Sequence, residues 1–394
     1  MLKVNAAITI LLENSRRLVQ SEEINLIDAT GRALACDIIA PIDVPPADNS
    51  AMDGYAIRFN DWSDAQTGIP MSQRVTAGSV PTELIPGSAA RIFTGAEVPP
   101  GADTVVMQEH CEEVEGGVRI LKQPALGANI RRRGQDLSTG QKVLAAGQRL
   151  RAQDLGLAAS LGIARVPVFR RLKVAVMSTG DELREPGDDI QPGQIYNSNR
   201  YTMKSQLAAW GCEVVDLGVA RDDPERVSEM MLLAAERADV IISSGGVSVG
   251  EEDHVKAVVD ELGAIDLWRI AIKPGKPFAF GQVRGTPFIG LPGNPVSVFV
   301  TLLVIARPYL FACQGIADTA VQPVRHTALF EKKASPREDY LRVRATDSGV
   351  ELFSNQSSGV LFSTTWGDGL VRQKPDEEIQ EGALVDFIPY AIFN

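Results

Sequence analysis

The sequence is short of the side chains that most often carry nucleophilic and metal chemistry. Its 394 residues include three histidines and four cysteines. Cys36, Cys111, Cys212 and Cys313 lie far apart with no C-x-x-C, which argues against disulfide staples and thiolate zinc sites. His110, His254 and His326 form no H-x-x-x-H pair, so a histidine-held metal hydrolase and a Ser-His-Asp triad find little support. Positive charge is also in deficit. A net charge of −11 argues against a nucleic-acid duplex or an anionic membrane as the main partner, while leaving room for a small anion held by a local basic cluster. The longest apolar run, Val296 to Ala306, falls short of the ~20 residues that span a bilayer. The start, Met1-Leu-Lys-Val-Asn-Ala-Ala, has no signal pattern. A cytoplasmic protein with no nucleic-acid or membrane partner is the resulting expectation.

The remaining composition is that of ordinary globular cores, with 44% hydrophobic and 23% charged residues. The length suits roughly two to four domains. Helical spacing runs from about Val4 to Leu18, and Ile24–Ala29 with Ala33–Ile38, around Thr30-Gly31-Arg32, reads as a β-hairpin. Pro41–Gly140 is rich in Pro and Gly and carries short β-like runs such as Arg91–Phe93 and Asp103–Met107, as expected for a β or mixed module with exposed loops. A short helix is expected over Gln153–Leu161.

Beyond Arg170 strands alternate with helices. The strands are Leu172–Met177, Glu213–Leu217, Val240–Ile242, Leu267–Ile272, Phe278–Val283 and Pro287–Gly290. The helices are Arg200–Trp210, Pro224–Arg237, Glu252–Leu262 and Pro295–Cys313. That order predicts a doubly wound, mainly parallel-sheet domain covered on both faces. His326–Asn394 keeps only short β-like runs, which predicts a small C-terminal β domain of barrel-like kind. The fold class expected is therefore multidomain α/β plus β, with N-terminal mixed and β modules.

Three strand exits in the α/β module carry small polar residues: Ser178-Thr-Gly-Asp-Glu182, Ser243-Ser-Gly-Gly-Val-Ser248 and Leu291-Pro-Gly-Asn-Pro-Val-Ser297. Small residues let backbone N–H groups approach a phosphate or other oxyanion, and hydroxyls add donors. In a parallel sheet such exits share one side, where ligands bind. Each loop alone is more often only a tight turn. Lys273-Pro-Gly-Lys-Pro277 holds two lysines on a proline-stiffened turn, a spacing that aims two ammonium groups at one anion.

Asp48-Asn-Ser-Ala-Met-Asp-Gly-Tyr55 and Asn129-Ile-Arg-Arg-Arg-Gly-Gln-Asp136 add carboxylates and arginines. Arginine suits planar anions, and Asp53 or Asp136 suits Mg²⁺, directly or through water. As isolated loops both are more often plain surface. Together the residues suit Mg²⁺-assisted handling of a phosphorylated or oxyanionic substrate by positioning and charge neutralisation.

These words, with Phe93-Thr-Gly-Ala96, occur in an order over about residues 1–315 that resembles the molybdopterin molybdenumtransferases of the MoeA type and the E domain of gephyrin. The resemblance implies the last step of molybdenum cofactor assembly. Adenylylated molybdopterin is bound, its dithiolene accepts molybdenum from molybdate, and AMP leaves in a Mg²⁺-dependent step. It implies four domains: 1–40 with 140–171, 41–139, 172–318 and 319–394. It also implies a homodimer with a cleft shared between subunits, and a possible handover from the molybdopterin adenylyltransferase.

By matching motif, Asp53, Asp136, Asp181, Glu182, Asp222 and Asp253 become catalytic candidates, with Asp53 and Glu182 as metal ligands. Thr94, Arg131, Ser248, Lys273, Lys276 and Ser297 become substrate-binding candidates. Arg342 and Ser358 match the family's C-terminal oxyanion site. Asn197 stands where relatives often have Asp, and Arg269 where bacterial relatives often have Lys.

A pterin-binding or scaffolding protein without turnover is the alternative of a different class. The acidic set Asp53, Asp136 and Glu182 argues against it, because passive anion binding gains nothing from nearby negative charge. The adenylyltransferase is a further alternative, since its domain resembles Arg170–Cys313, but that enzyme is short and the Pro41–Gly140 module points away from it.

Overall fold

Strand Lys173–Thr179 shows how the larger unit is layered. Val174 and Val176 join a core with Met203, Leu207 and Val298, whereas Ala175 and Met177 join another with Val227, Met231 and Val255. Successive side chains of a strand point to opposite faces. Helices Ser198–Ala209 and Pro295–Thr301 therefore cover one face, and Pro224–Arg237 and His254–Leu262 the other. The computed structural model describes residues 1–62, 68–246 and 254–393. It contains two units, Met1–Cys36 with Ala146–Arg151 and Arg165–Asn394, and Asp37–Ala145 with Ala152–Ala164.

The central sheet of the first unit has the order Glu213–Ala220, Lys173–Thr179, Val240–Ser244, Thr286–Leu291, Pro277–Val283, Gly263–Arg269. The first four strands run parallel and the last two pairings are antiparallel, so that Pro277–Val283 alone runs against the other five. The sheet is thus mixed. Only Arg284 and Gly285 separate Val283 from Thr286, too short a link for a parallel crossover. Both have positive φ (51° and 85°), the conformation of a tight hairpin turn that matches strand twist.

Several sequence expectations change. The hairpin over Ile24–Ile38 does not form. Ser21–Asn25 instead pairs with Arg165–Phe169, and Leu34 bridges Val168. Arg32 fixes this non-local choice by donating to the Phe169 carbonyl at 2.7 Å. The first helix stops at Glu13, because Asn14 Nδ2 and Ser15 Oγ compete for the Ile10 and Leu12 carbonyls. The strand expected over Leu267–Ile272 is Gly263–Arg269, and Ile272–Lys273 joins a different sheet.

The helical stretch Pro295–Cys313 contains a π turn over Leu302–Ala306, just before Pro308. Proline lacks the N–H that closes a regular turn and crowds the carbonyl four residues back. The stretch is long and apolar enough to cross a membrane, but 89% of its most apolar window is buried inside the protein, as a core helix would be.

The C-terminal strands are ordered Ile272–Lys273, Glu338–Ala345, Gly369–Gln373, Leu384–Pro389, Val324–Thr327, with Val350–Leu352 also beside Glu338–Ala345. Leu341, Val343, Val371 and Phe387 form their core. Leu329 N–H donates to the Val350 carbonyl at 3.0 Å, which curls the sheet back on itself.

The second unit is built on a six-stranded sheet ordered Thr104–Met107, Gly54–Ile57, Ala89–Ile92, Ile69–Val75, Gly117–Ile120, Cys111–Val114. Ala56, Val75, Ile92 and Val105 pack on it. Asn49–Ser50 pairs with Ile130–Arg131, and Ile38–Ile39 with Lys142–Leu144. Helix Ala152–Ser160 packs Leu157 near Ala40 and Leu137.

Candidate functional site

In the second unit, Asp53 is set by the strand that follows it. Gly54 admits no Cβ, because the Val106 carbonyl fills that space. Asp53 Oδ1 accepts the Thr94 N–H at 2.7 Å and the Thr94 hydroxyl at 2.8 Å. The Thr94 N–H chiefly, then its hydroxyl, hold the carboxyl below its ordinary range against slight desolvation, and the Arg91 charge adds to this. Arg91 donates to the Gly54 carbonyl (3.0 Å) and to Gln108 (2.7 Å), and lies over the rings of Tyr55 and Phe93. Asp53 Oδ2 has no hydrogen-bond partner among the described residues.

The loops carrying Asp53, Thr94 and Arg131 are stitched together. Gly95 N–H donates to the Ser50 carbonyl and Ala51 N–H to the Asn129 carbonyl, both at 2.8 Å. The arginine run then divides by role. Arg132 pairs with Asp48 and Arg133 with Asp43, each at 2.6 Å. Asp43 also accepts from Thr139, whose N–H is the largest cause of a carboxyl brought down to about 2. Arg131 is exposed and has no side-chain partner among the described residues. Asp136 is likewise exposed, bonded through its backbone N–H to the Val44 carbonyl at 3.0 Å. One arginine of three is left for a ligand.

In the first unit the three strand exits adjoin, as parallel pairing requires. Ser178 and Ser244 hydroxyls lie 3.2 Å apart, and Gly245 N–H donates to the Leu291 carbonyl at 3.3 Å. Gly245 sits against Thr179, where a Cβ would come within 2.9 Å of the carbonyl oxygen. Asn199 Nδ2 donates to the Gly293 carbonyl at 2.7 Å. Ser248 and Asp253 lie outside the described residues.

Asp181 Oδ1 accepts the Asp222 N–H at 3.2 Å, which brings two candidates together. Glu182 folds its carboxylate over Gly180, where a Cβ would collide with Oε2. Asp181, Glu182 and Asp222 are all exposed. Behind them, Arg200 pairs with Glu185 at 2.7 Å and with both oxygens of Asp216 at 2.8 Å, and Lys204 also reaches Asp216. Burial alone would raise the Asp216 carboxyl, but the hydrogen bonds from Arg200 and Lys204 outweigh it and bring it to about 2. Sequence reasoning missed this clamp, although Arg200 and Lys204 at i and i+4 on one helix face were its visible half. Asn197 caps that helix, its Oδ1 accepting the Arg200 N–H at 3.2 Å.

The lysine loop is the connection between strands Gly263–Arg269 and Pro277–Val283. Gly275 (φ +111°) presses on the helix Pro295–Thr301, and a Cβ there would collide with Thr301 Cγ2 and lie 3.5 Å from the Ser297 carbonyl. Ser297 is buried, and Val296 N–H donates to the Ser358 carbonyl at 3.0 Å. The structure thus gathers the Lys273–Lys276 loop, Ser297 and Ser358. Lys276 is exposed with no side-chain partner among the described residues.

Arg342 differs from the expected direct ligand. It is fully buried and donates to Ser363 Oγ (3.1 Å), the Tyr340 carbonyl (3.2 Å) and the Ser357 carbonyl (3.3 Å). In this structure it braces the Ser357–Ser358 loop. Desolvation lowers its pKa, and the Asp339 charge opposes that.

No cluster of three or more His, Cys, Asp or Glu side chains suited to a metal occurs among the described residues. The carboxylates stand singly or in pairs. Mg²⁺ typically binds through one or two carboxylates together with substrate phosphates, so this donor set fits it.

Fold and site define a multidomain mixed α/β protein with oxyanion-suited strand exits. Residues 2–162 match the MoeA N-terminal region (domain I and II), 175–312 a probable molybdopterin binding domain, and 328–390 the MoeA C-terminal region (domain IV). The chain belongs to the MoeA family of molybdopterin molybdenumtransferases. It is 46% identical to the molybdopterin molybdenumtransferase of Haemophilus influenzae over 347 residues, 87% of this chain and 85% of that protein. It is 40% identical to molybdopterin molybdenumtransferase 2 of Mycobacterium tuberculosis over 326 residues, 79% of this chain and 80% of that one. A molybdopterin biosynthesis MoeA protein from Pyrococcus horikoshii superposes with TM-score 0.82 at 32% identity, covering 100% of this chain and 99% of its own.

Proposed function

We propose that this protein acts in molybdenum cofactor biosynthesis as a molybdopterin molybdenumtransferase, inserting molybdenum from molybdate into adenylylated molybdopterin with release of AMP. The observation that carries the reading is that Asp181 and Asp222, both exposed at strand exits, are held together by the Asp222 N–H donating to Asp181 Oδ1 at 3.2 Å. Negative charge there weakens passive anion binding and is useful where a cation and a reacting phosphate meet.

In this reading the Ser/Gly exits and Lys276 hold the phosphate groups of the substrate, and Lys273 with Ser297 faces the oxyanion. Arg131 neutralises a further anionic group of the substrate. Asp53 is kept ionised by Thr94 and holds an oxygen in readiness. Mg²⁺, when bound, would be held by a carboxylate such as Asp53 or Glu182, directly or through water, together with the substrate phosphates whose charge it would neutralise. Arg342 braces the loop that carries Ser358 by donating to the Ser357 carbonyl. A homodimer and a cytoplasmic setting are part of the proposal. Sedimentation of the purified protein tests the assembly.

The direct test is incubation of the purified protein with Mg²⁺, molybdate and adenylylated molybdopterin. Active cofactor and stoichiometric AMP are expected. A well-folded protein that binds the pterin and never releases AMP would leave the scaffold reading in its place.

A further inference from the structure

Asp339 is fully buried, and neither of its carboxylate oxygens has a hydrogen-bond partner among the described residues. A buried carboxylate in that condition is strongly unfavourable unless a cation neutralises it. The cation is Lys273, whose Nζ lies 3.2 Å from Oδ2 as an ion pair without hydrogen-bond alignment.

The pairing is built into the fold. Lys273 and Asp339 are register partners where Ile272–Lys273 runs parallel to Glu338–Asp339. Other neighbours do not relieve the carboxylate. Gln373 is its register partner on the other side, but Gln373 Nε2 is taken by the Lys333 and Glu377 carbonyls at 3.0 and 2.7 Å. Arg342 contributes charge, yet its guanidinium donates to Ser363, Tyr340 and Ser357. Arg337 donates to the Ile272 carbonyl at 3.3 Å.

The Lys273 side chain is 37% exposed, whereas that of Asp339 is 1% exposed. An ammonium carries three donors. One side of it therefore meets a fixed buried charge while the rest stays open. Lys276, three residues on, has no such anchor among the described residues.

We propose that Asp339 is a positioning residue. It anchors the Lys273 ammonium from inside the protein, so that the remaining donors are presented to a tetrahedral oxyanion at the Lys273–Lys276 loop. This rests on the reading of Lys273 as an oxyanion-binding group. The two lysines then divide the work: Lys273 is held in place and Lys276 follows the ligand. The opposite role is a resident counter-ion that the incoming oxyanion must displace, and it requires the opposite sign of effect.

The test uses Asp339→Asn, which keeps the shape and removes the charge, in the full-length protein. Three quantities are read: the Kd for molybdate by calorimetry, KM and kcat for molybdate in cofactor formation, and the rate of reductive methylation at Lys273 by peptide mass spectrometry, with Lys276 as internal reference. The anchor requires methylation of Lys273 to rise at least threefold relative to Lys276, and the molybdate Kd and KM to rise at least fivefold with kcat within twofold. Unchanged methylation, an unchanged molybdate Kd, or a lowered one would each overturn it. Methylation and binding need no turnover, so an inactive unsubstituted protein would count against the transferase reading alone. Should Asp339→Asn not fold, Asp339→Glu moves the charge by one methylene and must still change Lys273 methylation and weaken molybdate binding. No change in either sinks the anchor.

Discussion

Thr94 gives Asp53 two hydrogen bonds on the same oxygen, from its N–H at 2.7 Å and its hydroxyl at 2.8 Å, and leaves the second oxygen without a partner among the described residues. A carboxylate so held stays ionised at lower pH than usual. One half of it is structural and the other is available to a cation.

Asp53→Asn should lower turnover by roughly 100-fold or more, the scale of a lost charge-stabilising group. The melting temperature should stay close to that of the parent protein. Steady-state assays beside calorimetry decide this, and near-parental turnover would remove Asp53 from the site.

Thr94→Val keeps the N–H bond and removes the hydroxyl. Activity at neutral pH should fall roughly 3- to 10-fold, the scale of one exposed hydrogen bond. The sign of the pH effect follows from Asp53, whose pKa the hydroxyl lowers. Without it the acidic limb of the pH–rate profile should move to higher pH. A limb that stays put, or moves down, would mean that Asp53 does not govern it.

Arg131 and Arg132 are neighbours with different duties. Arg131→Ala should raise the KM for the pterin substrate severalfold with little change in stability, because no side-chain partner among the described residues is lost. Arg132→Ala breaks an exposed ion pair with Asp48 and should cost about 0–1 kcal/mol, with a small kinetic effect. Equal kinetic effects from both would contradict the division.

Acid stability tests the Arg200 clamp. Asp216 is brought from its ordinary 3.8 to about 2 in the folded protein. A depressed carboxyl contributes stability above its unfolded pKa and loses it as pH falls through the folded one. The contribution, about 2 kcal/mol as an order of magnitude, is therefore present at pH 6 and fades between about pH 4 and 2. Asp216→Asn should flatten unfolding free energy against pH over that interval. An unchanged slope would show that the clamp does not form.

Much of this was legible in the sequence. The alternation of Leu172–Met177, Pro224–Arg237 and Val240–Ile242 is a local periodicity, and the strand exits sit at its visible breaks. What escaped was non-local. The pairing of Ser21–Asn25 with Arg165–Phe169 joins segments that no local pattern relates. Strands Phe278–Val283 and Pro287–Gly290 were placed in sequence, yet the reversal of Pro277–Val283 against its neighbours needed the pairing itself. The family resemblance marked Arg342 as part of a C-terminal oxyanion site, while its burial behind the Ser357–Ser358 loop depends on packing. Asp339 carried no motif, and its meaning comes from standing beside Lys273.

The proposed function requires that the protein transfer molybdenum and not merely hold the pterin. AMP released per active cofactor formed, measured with purified protein, Mg²⁺, molybdate and adenylylated molybdopterin, tests it most directly. A one-to-one ratio that disappears in Asp53→Asn is the result expected. Tight pterin binding with no AMP and no active cofactor from the unsubstituted protein would contradict it.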